Sequence, residues 1–126
     1  MTKTTLHTTR TAALLIMLLL FFTGTVRAQT ITVEHYVNLC RQHALYGDDI
    51  PARIACGSAL QLDPTVDEAG RIIAKLDIDN RNLLAATARL DRMQRERPHS
   101  DNLVLLAQVA IQNEDVAAVR KYLQDI

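Results

Sequence analysis

The strongest constraint in this chain is a rhythm. From about residue 31 onward, apolar residues recur three and four positions apart, the spacing of one face of an α-helix. The residues that break this pattern recur as well: Pro64 and Pro98 are 34 positions apart, and the turn signals Gly47, Asn80 and Asn113 recur at 33. No alternating apolar and polar run is long enough for a strand. The first stripe is Val33, Tyr36, Val37, Cys40 and Ala44, and the second is Ala52, Ala55, Cys56, Ala59 and Leu60. Ile72, Ile73 and Leu76 make a third, and Leu83, Leu84, Thr87, Ala88 and Met93 a fourth. Leu103, Leu106, Ala107, Ala110 and Ile111 follow, and Val116, Val119, Tyr122 and Leu123 form the last. The expectation is an all-α protein of six helices of about three turns each.

Start signals agree with this division. Thr65 and Glu68 have the spacing of a capping box. Asp48 and Asp49, Asp79 and Asn80, Asn113 and Asp115, and Ser100 can each cap the helix that follows. The connections are then only a few residues long, so neighbouring helices should run antiparallel.

The first 28 residues read as an address rather than as structure. Lys3 and Arg10 precede an unbroken apolar run, Ala12–Phe22, and Val26-Arg27-Ala28 resembles a small-x-small cleavage site before Gln29. The run is shorter than the ~20 residues that span a bilayer. The expected division is a signal peptide, 1–28, and a helical domain, 29–126, in a secreted or periplasmic protein with no stable membrane insertion after cleavage. The competing reading is an uncleaved anchor. Three of the 14 Lys and Arg lie in this segment and none of the 14 acids do, so the remainder carries 11 basic against 14 acidic residues. That mild acidic excess argues against a nucleic-acid partner, which selects for surplus positive charge, and against a polybasic membrane-surface protein.

The spacing of particular residues carries a resemblance. Tyr36-x2-Leu39-Cys40-x2-His43, then Ala52-x3-Cys56, then Ala59 and Pro64, follows the tetratricopeptide pattern, with Leu60-Gln61-Leu62-Asp63-Pro64 as its usual ending. A second unit runs Gly70-x2-Ile73-Ala74-x2-Asp77, Ala86-x3-Leu90, Pro98 without the aromatics. A third runs Leu103-x2-Leu106-Ala107-x2-Ala110 and a helix from about Val116, one residue short at the turn and with no following Pro. The chain thus resembles the tetratricopeptide-repeat family over about residues 31–126. The resemblance implies a short right-handed α-α superhelix of about three hairpins. Small residues (Cys40, Ala74, Ala52, Ala86) would let paired helices approach, and Leu39 and Leu90 would fill the space between hairpins. No polar capping helix follows Tyr122–Ile126, so the last hairpin is expected to fray or to pair with another chain.

Cys40 and Cys56 each stand eight residues from position 48, the middle of the first turn. Residues equidistant from an antiparallel turn lie at one height, so an exported pair there should form a disulfide. Two buried free thiols are the alternative. A redox pair or a zinc site using His35 or His43 has little support, because neither C-x-x-C nor finger-type spacing is present. No phosphate loop or hydrolase motif occurs, so the reading is not an enzyme, with no catalytic residue, cofactor or metal.

The resemblance also implies a groove lined by the first helix of each hairpin. Its positions here are Glu34, Val37, Arg41 and Leu45, then Glu68, Arg71, Lys75 and Ile78, then Val104, Gln108 and Ile111. Arg41, Arg71 and Lys75 would form a basic strip able to pair with carboxylates of a partner peptide or helix. The alternative for these side chains is an ordinary solvated helix face. The expected function is an exported adaptor or assembly factor that binds another protein. The runner-up is a self-associating subunit that uses the last hairpin.

Overall fold

A computed structural model describes residues 33–126; the expected signal peptide and its cleavage site lie outside the described residues. Six helices are described: α1 (33–46), α2 (Asp49–Leu62), α3 (Asp67–Asp79), α4 (Leu83–Glu96), α5 (Ser100–Gln112) and α6 (Val116–Asp125). Among the described residues there is no strand, and no helix is long and apolar enough to cross a membrane. The fold is all-α and repeat-like, as the periodicity predicts.

The repeat is clearer in the backbone than in the sequence. Three turns share one hydrogen-bond pattern. Asp48 N–H donates to His43 C=O at 2.9 Å, Asn82 N–H to Asp77 C=O at 2.8 Å, and Asp115 N–H to Ala110 C=O at 2.9 Å. In each, the residue just before the donor is left-handed: Gly47 at φ +78°, Arg81 at +59° and Glu114 at +58°. This is the Schellman ending of a helix, which satisfies carbonyls that the last turn leaves open. Only the first copy uses glycine, so the other two carry a backbone strain of about 1 kcal/mol each. Asn80 and Asn113, expected as turn signals, do stand in these turns, each just before the left-handed position.

The other two turns are of a second kind. Asp63 and Arg97 end α2 and α4 in extended backbone, at φ −144° and −143°. Each precedes a proline, whose ring pushes its predecessor out of the helical region. The two turn types alternate along the chain, which is the physical content of the 33- and 34-residue spacing.

The turns reverse the chain, as side-chain bonds show. Asn80 at the end of α3 reaches Asp49 at the start of α2, and Arg97 at the end of α4 reaches Asp67 at the start of α3 at 2.8 Å. Two apolar clusters lie between the helices. One gathers Cys40, Ala55, Cys56, Ala59, Ala69 and Ile73 from α1 to α3. The other gathers Ala74, Ile78, Ala86, Leu90, Leu103, Leu106 and Val109 from α3 to α5. Cys40, Ala52, Ala74, Ala86 and Leu90 have no exposed surface, as the close approach of paired helices requires. α3 packs on α5 as well as on α2 and α4. α6 packs on α5 but buries no residue fully; Tyr122 alone of its side chains reaches the second cluster.

Four caps differ from the sequence expectation: Asp48 precedes α2 without a side-chain cap bond, α4 follows Asn82 rather than Asp79 or Asn80 and again has no such bond, and the other two concern Thr65 and Ser100. Thr65 does not form a capping box with Glu68, because it stands one residue ahead of the N-cap, Val66, and bonds back to Asp63. α3 begins at Asp67, and Thr65 N–H and Oγ1 both donate to Asp63 Oδ1, at 2.9 and 2.6 Å. α5 is capped by His99, whose Nδ1 accepts from Asp101 N–H at 3.1 Å, while Ser100 is already helical. Asp115 caps α6 as expected, accepting from Ala118 N–H at 3.0 Å.

Candidate functional site

The residues expected to line a groove lie on α1, α3 and α5. These three helices are neighbours: Arg41 of α1 grips Glu68 of α3, and α3 packs on α5. Both Arg41 Nε and Nη2 donate to the Glu68 carboxylate, at 2.7 and 2.9 Å, and Nη1 donates to Asn38 Oδ1 at 2.8 Å. The fork geometry holds the two helices in one register, although an exposed pair of this kind contributes only about 0–1 kcal/mol.

The basic strip is accordingly less free than sequence suggests. Arg41 is taken by Glu68, and Lys75 pairs with Asp79 one helical turn on. Arg71 is half-buried, with Nη1 shielded from water and unpartnered. On α5, Gln108 is also half-buried and its Oε1 has no partner. Each of α3 and α5 therefore holds one shielded polar atom without a partner, a donor on Arg71 and an acceptor on Gln108.

One groove position is corrected outright. Ile78 is 1% exposed and sits in the core cluster with Leu90 and Leu106, so it offers no surface to a partner. It lies near the C-terminal end of α3, where α4 and α5 close over the helix. Val37 is half-buried against the first cluster. Glu34 is exposed. Leu45, Val104 and Ile111 are exposed apolar side chains, at 80, 42 and 61%. Val104 and Ile111 are seven apart on α5 and share a face.

The cysteines meet as their symmetry about the turn predicts. Their Cα atoms are 4.9 Å apart with the sulfurs at disulfide distance, joining α1 to α2 inside the first cluster. His43 is half-exposed, with Nδ1 3.5 Å from Asp48 Oδ2 rather than packed in the core. Among the described residues no three metal-ligating side chains converge. Ser58 Oγ donates to the Ile54 carbonyl at 2.9 Å, the usual backbone bond of a helical serine.

Sequence reasoning missed three features. Asp77, 4% exposed, accepts from Arg53 Nη1 at 2.7 Å, and Arg53 Nε also donates to Asp49 at 2.9 Å. Burial opposes the Arg53 charge, but Asp77 and then Asp49 outweigh it, and the guanidinium's pKa lies above its ordinary value. The second is an apolar patch of Leu45, Tyr46, Ile50 and Ile54 around the first turn, all largely exposed. The third is a cleft of about 230 Å³ between the α2–α3 turn and α4. The Arg53–Asp77 and cleft partners are far apart in sequence, so no local pattern announces them.

No protein-family model, curated protein or solved structure matches the chain.

Proposed function

We propose that this chain is an exported, non-enzymatic adaptor that binds a segment of another protein across α1, α3 and α5, its hairpins stacked in a short tetratricopeptide-like superhelix. The observation that carries the reading is the alternation of two turn types at constant spacing. It sets α1, α3 and α5 in equivalent places, and those helices present exposed Leu45, Val104 and Ile111 beside charged Arg41 and Lys75. Isolated exposed apolar side chains are ordinary, but Val104 and Ile111 share one face of α5, and in arrays of this kind that helix of each repeat lines the groove that holds an extended partner. The basic n-region and short apolar run before Gln29 support export.

The test uses the tagged full chain and an extract of the native cell envelope. Wild type should recover a defined partner, and Val104→Asp with Ile111→Asp should lose it with helical content unchanged. Leu123→Asp on α6 should retain it. Recovery of the same partner by the α5 double variant overturns the groove. A second reading is favoured by α6, which leaves Val116 and Leu123 largely exposed: a self-associating subunit that pairs through this face. Light scattering that finds a dimer, dissociated by Leu123→Asp, selects that reading instead.

A further inference from the structure

The cleft between the α2–α3 turn and α4 has an apolar floor and a cationic wall. Leu60, Val66 and Met93 supply the floor. Gly70 contributes no side chain there: a Cβ at that position would meet Met93 Sδ at 2.9 Å. The wall is arginine. Arg97 is already spoken for, donating to Asp67 at 2.8 Å and lying 3.5 Å from Glu96. Arg89 and Arg92, three apart on α4, also line the cleft, and neither has an ion pair among the described residues.

Arg89 is the unusual one. Its Nε is shut off from water with no acceptor. A buried guanidinium donor without a partner is costly, and native structures rarely leave one so. Burial pulls its pKa below the ordinary arginine value, and the nearby charges of Arg92 and Arg53 pull the same way. The acid that opposes them, Asp77, is already hydrogen-bonded to Arg53. Arg89 thus shares its main opposing charge with Arg53 and has no ion pair of its own beside the cleft it lines.

We propose that this cleft is a second binding site, which takes a carboxylate between Arg89 and Arg92 with an apolar side chain seated on Leu60, Val66 and Met93. The ligand is an acidic–apolar peptide segment. Charge balance selects the carboxylate over a phosphate. The lining holds three arginines against Asp67 and Glu96, a surplus of one positive charge, which suits a monoanion. A phosphate dianion would meet two fixed carboxylates and only one unbalanced cation. The site shares no residue with the α1–α3–α5 surface: α4 and the α2–α3 turn build most of it, and α3 adds only Asp67 and Gly70 from its first turn.

The experiment is nuclear magnetic resonance titration of the labelled full chain with three probes: the acetylated and amidated tripeptide Leu-Asp-Leu, its neutral twin Leu-Asn-Leu, and inorganic phosphate. The acidic tripeptide should shift the Arg89 and Arg92 Nε–H signals and the Met93 methyl saturably. The neutral twin should bind at least about tenfold more weakly, the loss of one charge-assisted hydrogen bond. Arg92→Gln, at an exposed position, should weaken the acidic tripeptide by a similar factor with the remaining spectrum unchanged. Lys75→Glu should not alter it, which separates this site from the groove. Arg89→Gln makes the same test at the buried position, and Arg92→Gln decides the matter if that variant does not fold. Equal binding of the neutral twin, tighter binding of phosphate, or no saturable shift at the arginines overturns the proposal.

Discussion

Arg53 Nη1 of α2 donates to Asp77 Oδ1 of α3 at 2.7 Å, across the boundary between the first hairpin and the second. The Asp77 side chain is almost wholly buried while that of Arg53 is a third exposed, so the pair is asymmetric. Removing the arginine strands a buried charge; removing the acid leaves the guanidinium with Asp49 and water. Arg53→Ala should therefore cost more than Asp77→Ala, roughly 3 kcal/mol against roughly 1–2 kcal/mol after allowance for the exposed side of the arginine. Urea unfolding of the two variants and of the double variant gives both costs and the coupling. Equal costs, or costs below about 0.5 kcal/mol, would show that the pair is only a surface contact.

The two strained turns make a prediction of opposite sign. Arg81 and Glu114 sit at positive φ, where a side chain crowds its own carbonyl. Arg81→Gly and Glu114→Gly should each stabilise by about 0.5–1 kcal/mol, because relief of strain exceeds the extra freedom of glycine in the unfolded chain. Gly47→Ala should lose a similar amount. No atom lies within 4 Å of where the new Cβ would stand, so the cost there is backbone alone. Thermal unfolding of the three variants checks the pattern. Destabilisation by either glycine would mean that the side chain it replaced makes a compensating contact.

The cysteine pair closes a loop with a sequence separation of 16 residues. Chain-entropy reasoning assigns a loop of this size about 3 kcal/mol. The bond is expected in the native protein, so maleimide labelling under denaturing conditions should find no free thiol before reduction. Reduction, or Cys40→Ala with Cys56→Ala, should lower the unfolding midpoint and loosen α1 first, since the bond is its covalent tie to α2. Two labelled thiols in freshly isolated protein would refute the bond.

The turn at Asp63 is acid-sensitive. Hydrogen bonds from the Thr65 hydroxyl and then from its backbone N–H hold the carboxyl below the ordinary aspartate value. A carboxylate depressed in the folded state contributes stability above its unfolded pKa, and that stability is lost as pH falls through the folded value. Thr65→Val removes the hydroxyl bond but keeps the backbone one, so it should raise the Asp63 pKa part of the way towards normal and reduce that acid-side dependence. Carbon-detected titration of the carboxyl measures it directly. An unchanged midpoint in Thr65→Val would mean that the hydroxyl bond contributes nothing in solution.

What the sequence determined by itself was everything governed by neighbours within a few positions. Apolar residues three and four apart specify six helices, because that spacing places them on one face whatever lies beyond. Pro64 and Pro98 end α2 and α4 through their own rings. Cys40 and Cys56 meet because a short antiparallel turn leaves residues equidistant from it at equal height. The tertiary structure alone decided which side chains are free. Arg41 looked like part of a basic strip until Glu68, 27 residues away, closed on it. Ile78 looked like a groove residue until α4 and α5 covered it. Asp77 looked like a vacant aromatic position and is instead the buried anchor of Arg53, while Arg89, which no motif singles out, lines a cleft with no ion pair of its own. Charge and burial depend on distances between helices, and those distances are set by packing that no window of sequence contains.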